Sequence, residues 1–538
     1  MFVAFVVAMV ATMALMPLLM RASERLGMLD HPGPRKVHHR DVPRVGGLAM
    51  LAGVLIPLLA LQTLPRPIVG ILLGILVVVF EGVWDDRSPL GYRAKFAAQF
   101  LAAILVVAVG GIQIRELVLL DETILPTWLA VPLTVVVIVA MTNAINLADG
   151  LDGLAGGVSF LSCCALAVVA YTSGNTAAFV LAISLCGALL GFLRFNTFPA
   201  RVFMGDGGSQ LLGLAIGSLA IYVTQTENAV VSATMPLFLL AIPILDTFFV
   251  MVHRVRAGRS PFSADKNHLH HRLLSLGYSH GGAVALIYSA QAVLFLAAYL
   301  LRFESDITNI VAFAACGCLM LATLMRRRLA LEPALRRAPA GIPAPIARFG
   351  AQVAAGAHRI SMSILHLALI AYCVLGAILL PVPTDIGVLF ALLLAVLSLA
   401  WVVVAQRFRA AEKSVVYVLA AALAYLFSHA DWLPRELQRL EWILIVIIAV
   451  ATAAALRFAE KPQFQLNTMD LLVLFTAIVV PNLPGAIWGD ANLAALAARL
   501  AVLFYALELV MSGDREHATA SRVAASLTLG ALAIKGFV

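Results

Sequence analysis

Residues 127–157 read TWLAVPLTVVVIVAMTNAINLADGLDGLAGG. The first twenty carry no charge, and roughly 20 apolar residues suffice for a helix to cross a bilayer core. The stretch then changes character within a few residues. Asn146, Asp149 and Asp152 appear among glycines at the end of the apolar run. A membrane-length segment that delivers carboxylates to its end decides the fold class, because the rest of the chain repeats the pattern. Of 538 residues, 62% are hydrophobic and 12% charged, about half the charged share of a soluble domain. The apolar runs do not alternate as barrel strands would. The expected fold is an all-α polytopic membrane protein.

Working outward, apolar runs fall near 1–20, 46–63, 67–84, 96–113, 127–146, 157–172, 177–194, 208–225, 230–251, 282–301 and 307–325, a bundle of about eleven spans. Alternate loops differ sharply in charge. One set holds Arg21, Arg25, Arg35, Lys36, Arg40 and Arg44, then Arg87, Arg93 and Lys95, then Arg194 and Arg201, then Arg254, Arg256, Arg259, Lys266 and Arg272, and last Arg326, Arg327 and Arg328. The opposite set holds Arg66, Arg115 and Arg302. The positive-inside rule puts the first set in the cytoplasm. Met1–Met20 has no preceding positive residue and runs into Arg21 and Arg25, which reads as an uncleaved first helix. The C-terminal end of the first helix is therefore expected in the cytoplasm.

Residues 326–361 break the pattern with a basic, Pro- and Ala-rich stretch that opens RRRLALEPALRRAPAGIPAPIARFG. It is expected to be a cytoplasmic linker near anionic headgroups. It separates a first domain, 1–325, from a further hydrophobic block, 362–538, with about six or seven more spans. That block carries few polar motifs, and PNLPG at 481–485 interrupts one of its runs. The net charge of +8 belongs to topology. No basic patch is interleaved with aromatic residues, so nucleic-acid binding is excluded. Cys163, Cys164, Cys186, Cys316, Cys318 and Cys373 all lie in apolar runs and read as small core residues.

The acids of the first domain collect at cytoplasmic span ends. Asp85 and Asp86 lie in GVWDDRSPLGYRAKFAAQ (82–99), Asp149 and Asp152 in the opening stretch, Asp206 in RVFMGDGGSQLLG (201–213), and Asp265 in SPFSADKNHLHHRLL (260–274). Carboxylates at a membrane boundary are costly unless paired or holding a cation. Beside so many Lys and Arg residues they suggest a site for a divalent ion and phosphates, since Mg²⁺ takes one or two carboxylates plus substrate oxygens. Asp149 and Asp152 are three apart, so a helical turn would put them on one face, while the glycines around them also permit a non-helical loop. Asp206, among glycines at a helix start, suits a phosphate site or a helix cap. His268, His270 and His271 raise zinc, but no cysteine is near and the spacing is poor for one helix face. A phosphate- or nucleotide-contacting loop with Arg254, Arg256 and Arg272 fits better.

These blocks, with LDHPGPRKVHHRDVPRVGGLA (29–49), closely resemble in order the polyprenyl-phosphate N-acetylhexosamine-1-phosphate transferases, in their WecA and TagO branch and more distantly the MraY type. The resemblance covers roughly residues 1–325. It implies transfer of N-acetylhexosamine 1-phosphate, most simply that of GlcNAc, from a UDP-sugar to undecaprenyl phosphate, with release of UMP. It implies Mg²⁺ or Mn²⁺, and membrane lipids as surroundings. A homodimer is left open. By the resemblance, Asp206 leads the metal ligands with Asn146, while Asp85 and Asp86 position the lipid phosphate or metal. Asp149 and Asp152 line the nucleotide and metal site, Lys95 and Lys36 contact phosphate, and Arg254, His268, His270 and His271 bind the diphosphate and sugar.

Phosphoryl transfer depends on positioning and charge neutralisation. The lipid phosphate, with a second pKa of about 6 like other phosphomonoesters, needs no strong base. Direct attack at the β-phosphorus is the expected route, and a covalent aspartyl intermediate the alternative. A transporter or flippase of lipid-linked sugars is the competing class, but transporters place polar residues near the midplane. A catalytically dead scaffold would have no use for the acids.

Overall fold

The computed structural model describes residues 2–32, 40–59, 64–118, 122–225, 231–260, 268–334, 344–384, 387–388, 390–391, 393–395, 398, 409–428, 430, 432–458, 492–512 and 515–537. It divides into two compact units, Met1–Arg337 and a second built from residues beyond it. Lys36, Asp265 and the PNLPG stretch lie outside the described residues.

In the first unit the long helices are α1 (Phe2–Leu26), α2 (Gly46–Leu59), α3 (Arg66–Arg87), α4 (Tyr92–Ala108), α5 (Thr127–Ala148), α6 (Leu154–Thr172), α7 (Thr176–Asn196) and α8 (Gly205–Thr224). A four-residue turn of helix, α9 (Pro236–Leu239), precedes α10 (Ala241–Arg256), and the short α11 (Leu269–Ser275) leads to α12 (His280–Leu300) and α13 (Asp306–Ala334). Each expected span thus carries a helix. The ninth differs from expectation, because the helix breaks at Leu240 between α9 and α10. Its start is pinned by Gln291, which donates to the carbonyls of Phe238 (3.0 Å) and Leu239 (2.9 Å).

Several helix boundaries have local causes. Pro65 and Pro126 stand at the N-caps of α3 and α5, where a missing N–H costs nothing. Asn175 and Ser279 cap α7 and α12 through Ala178 N–H (3.1 Å) and Gly282 N–H (3.2 Å), each worth ~1 kcal/mol. Two small antiparallel hairpins interrupt the all-α pattern. Leu29–Asp30 (β1) pairs with Val42–Pro43 (β2), and Glu116–Val118 (β3) with Glu122–Ile124 (β4).

Helix α8 is the axis of the unit. It is almost wholly buried and packs on α2, α3, α5 and α6. Lipid offers no hydrophobic drive between helices, so close packing of small residues must bind them. Gly82 of α3 lies on Gly207 of α8, and Gly47 of α2 on Gly208, so that a Cβ at 82 or 47 would overlap the facing backbone nitrogen.

In the second unit the described helices include α14 (Ala344–Leu379), α15 (Arg409–Ser428), α16 (Arg435–Arg457), α17 (Asn492–Ser512) and α18 (Arg515–Phe537). Their shared core includes Leu365, Tyr372, Phe390, Leu423, Ile448 and Leu529. Arg499 of α17 makes two 2.8 Å bonds to Glu441 of α16, both residues buried, and Trp442 stacks under the guanidinium. Sequence reading saw few polar motifs here. The pair is separated by a long stretch of chain and becomes visible only once α16 and α17 pack. Among the described residues, nine helices are long and apolar enough to cross a membrane, seven of them before residue 301 and two after 355. The protein is an all-α, multi-pass membrane protein.

Candidate active site

The C-terminal end of α3, the N-terminal ends of α4 and α8, and the turn after α5 meet at one end of the first unit. Lys95, in the first turn of α4, donates to Asp85 Oδ2 (2.7 Å) and pairs with Asp206. Asp85 Oδ1 accepts from Leu90 N–H (2.6 Å). Asp86 Oδ2 accepts the backbone N–H of Asp206 (3.1 Å), and its Oδ1 faces Arg44 Nη1 at 3.4 Å. Arg44 also pairs with Asp30 of β1. The first loop is therefore tied to the acid cluster.

Gly205 makes this approach feasible. Its φ of +69° lets the chain turn into α8, and a side chain there would overlap Asp86 Oδ2. Asp206 is the second residue of α8 and not its cap, which is Met204. Its carboxylate is free of capping duty and is 28% exposed, against 11% for Asp85 and 2% for Asp86. Asn146, in the last turn of α5, donates its amide to Ser209 Oγ (2.8 Å) in the first turns of α8.

The Asp149–Asp152 stretch takes the non-helical course that its glycines permit, and not the helical turn that would put both acids on one face. Helix α5 ends at Ala148, and Gly153, at φ +81°, starts α6. The two carboxylates consequently have different surroundings. Asp152 Oδ2 accepts from Ala200 N–H (2.9 Å) and so clamps the segment that leads into α8. Asp149 faces the cluster. Burial, and then the charges of Asp206, Asp152 and Asp86, push its carboxyl up to about 7, with Arg44 opposing.

The histidines close the other side. His268 Nδ1 lies 2.9 Å from Asp246 Oδ2, and Asp246 Oδ1 accepts Leu269 N–H (2.6 Å), which starts α11. His270 stacks near His268, His271 is 4.3 Å from His270 between ring centres, and His270 Nε2 stands against Gly150. Arg254 is buried in the last turn of α10, eight residues from Asp246 and so on a similar face. The histidine block is thereby joined to the Asp149 turn.

Burial, and then the charge of His271, lower the His270 pKa to about 4. The imidazole is neutral at neutral pH. Because the unfolded chain binds a proton near 6.5 and the folded one only near 4, stability is complete above about 6.5 and drains away as pH falls toward about 4. The melting temperature should fall over that window, and His270→Asn should fall less steeply. Equal slopes in wild type and variant would exclude this assignment.

Arg44 and Asp246 are the site residues that sequence reading missed. Arg44 counted only as a loop charge. Asp246 sits alone in the apolar run AIPILDTFFV (241–250), and an isolated carboxylate in such a run is itself the signal.

Residues 68–224 match the glycosyl transferase family 4 model. The chain is 37% identical over 304 residues to a probable undecaprenyl-phosphate N-acetylglucosaminyl 1-phosphate transferase of Bacillus subtilis (strain 168), covering 56% of this chain and 84% of the relative. It is 36% identical over 363 residues to a decaprenyl-phosphate N-acetylglucosaminephosphotransferase of Mycolicibacterium smegmatis, covering 60% and 85%. It is 30% identical over 285 residues to an undecaprenyl-phosphate alpha-N-acetylglucosaminyl 1-phosphate transferase of Escherichia coli (strain K12), covering 51% and 76%.

Proposed function

The chain belongs to glycosyl transferase family 4, and from that premise we propose that it transfers N-acetylglucosamine 1-phosphate from UDP-GlcNAc to undecaprenyl phosphate. UMP leaves, and the lipid-linked sugar starts a cell-envelope polysaccharide. The reaction takes place at the cytoplasmic face of a bacterial inner membrane. The observation that carries this reading is the convergence of Asp85, Asp86, Lys95 and Asp206 at one end of the bundle, beside the Asp149 turn.

The residues present fit a divalent cation of the Mg²⁺ type. Among the described residues no three His, Cys, Asp or Glu side chains form a ready metal cage. Mg²⁺ does not ask for one, since it keeps water and substrate oxygens beside one or two carboxylates. Asp206 would hold it with Asn146, whose amide nitrogen is spent on Ser209 and leaves the oxygen available. When bound, it neutralises phosphate charge. The neighbouring carboxylate charges that add to the effect of burial on Asp149 are what such a cation relieves.

The remaining residues position and screen. Both oxygens of Asp85 and both of Asp86 are engaged by protein donors. That occupancy favours holding roles for them and supports direct attack by the lipid phosphate over an aspartyl intermediate. Lys95 and Arg44 offer cations to phosphate oxygens at the cluster, and His268, whose Nδ1 is held by Asp246, keeps Nε2 for the nucleotide-sugar.

Purified protein with undecaprenyl phosphate and Mg²⁺ should release UMP from UDP-GlcNAc and form a lipid-linked product, and a panel of UDP-sugars sets the specificity. No UMP from any of them would overturn the proposal. Between about 4 and about 7 the folded chain holds a proton on Asp149 that the unfolded chain releases, so this group's contribution falls as pH rises through the window. Mg²⁺ should therefore raise the melting temperature more above pH ~7 than near pH ~5. Equal shifts at both would show that the ion does not answer these carboxylates.

A further inference from the structure

One helical turn beneath the Asp85, Lys95 and Asp206 layer lies a second polar layer on the same three helices. Glu81 precedes Asp85 by four residues, while Gln99 and Gln210 follow Lys95 and Asp206 by four. Helix α3 runs toward the site and α4 and α8 run away from it, so all three sit about 6 Å deeper. They form a chain. Gln99 Nε2 donates to Gln210 Oε1 (3.0 Å), and Gln210 Nε2 donates to Glu81 Oε2 (2.7 Å). They are 6% (Glu81), 3% (Gln99) and 1% (Gln210) exposed.

Two acceptors in this layer have no partner, Glu81 Oε1 and Gln99 Oε1. Among the described residues no cation is hydrogen-bonded to Glu81. Lys95, the nearest candidate by position, is engaged by Asp85 and Asp206. An ionised carboxylate at that depth, with one oxygen bare and Lys95 already held by two other carboxylates, is costly, and such a group takes up a proton instead. A proton on Glu81 converts one orphan acceptor into a donor, in a layer whose other orphan, Gln99 Oε1, is an acceptor. Gln210 Nε2 keeps the other carboxyl oxygen as its acceptor.

We propose that Glu81 is held as a neutral carboxylic acid and, with Gln99 and Gln210, forms a hydrogen-bonded floor that positions Lys95 and Asp206 for the transfer. Glu81 is a positioning residue acting through the turn above it, and it does not touch substrate. Its catalytic consequence rests on the function proposed above, whereas its protonation state does not.

Glutamine reproduces the donor and acceptor of a protonated Glu81 but never its negative charge. Glu81→Gln should keep most of the wild-type kcat, whereas Glu81→Leu, which leaves Gln210 Nε2 without its acceptor, should lose on the order of tenfold or more in kcat with a smaller change in KM. The infrared spectrum of the purified wild-type protein at neutral pH should carry a buried carboxylic-acid C=O band that Glu81→Gln removes. That band is read without turnover, so it tests protonation even if the leucine variant fails to fold or the transfer reaction proves to be another one. A Glu81→Gln variant as inactive as Glu81→Leu, or a wild-type spectrum without the band, would overturn the proposal.

Discussion

Asp206→Asn should reduce UMP release by a factor on the order of 10²–10³ while leaving the melting temperature nearly unchanged. The change removes one charge and keeps the shape. Asp206 is the most exposed carboxylate of its cluster, and its backbone N–H, the group that ties α8 to Asp86, is untouched by the substitution. Lys95 would remain paired with Asp85. What disappears is the accessible anion at the head of α8, where a cation and substrate phosphates are proposed to meet. Preorganised charge of this kind is where phosphoryl transfer finds most of its rate. A variant that still releases UMP at the wild-type rate would remove Asp206 from the chemistry and return the transporter reading.

Gly82→Ala should be nearly as damaging, by a different route. A Cβ at 82 would overlap the nitrogen of Gly207, with Asp206 close behind, and the atoms in the way are backbone that no side-chain rotation can clear. Helices α3 and α8 must separate. Overpacking costs about 1–3 kcal/mol, and the same displacement draws Asp85 and Asp86 from Lys95 and Asp206. A misplacement of about 1 Å can cost on the order of 10² in rate. Turnover and the melting temperature should fall together in this variant, unlike in Asp206→Asn. Wild-type turnover in Gly82→Ala would mean that the α3–α8 approach does not set the site.

The parts of the site that sequence reading reached share one property. Asp85, Asp86, Lys95, Asp149 and Asp206 are charged residues at the ends of apolar runs, and charge at a membrane boundary needs a reason wherever it occurs. Arg44 was hidden among other loop cations, because its partner, Asp86, is 42 residues away. Asp152 was read as a companion of Asp149 from its spacing. The turn between α5 and α6 sends it instead to Ala200, where it holds the approach to α8.

By itself the sequence determined that this chain crosses a membrane many times and that the acids of its motif-bearing loops, Asp85, Asp86, Asp149 and Asp206, sit at span ends, since both follow from the cost of putting charge in hydrocarbon, which is local to each segment. Only the tertiary structure decided which oxygen meets which donor: Asp86 on the α8 backbone, Asp246 on His268, Glu81 on Gln210, Glu441 on Arg499. Those pairings depend on helices packed to within a glycine's width, and hydrogen bonds are won or lost over a few tenths of an ångström that no spacing along the chain encodes.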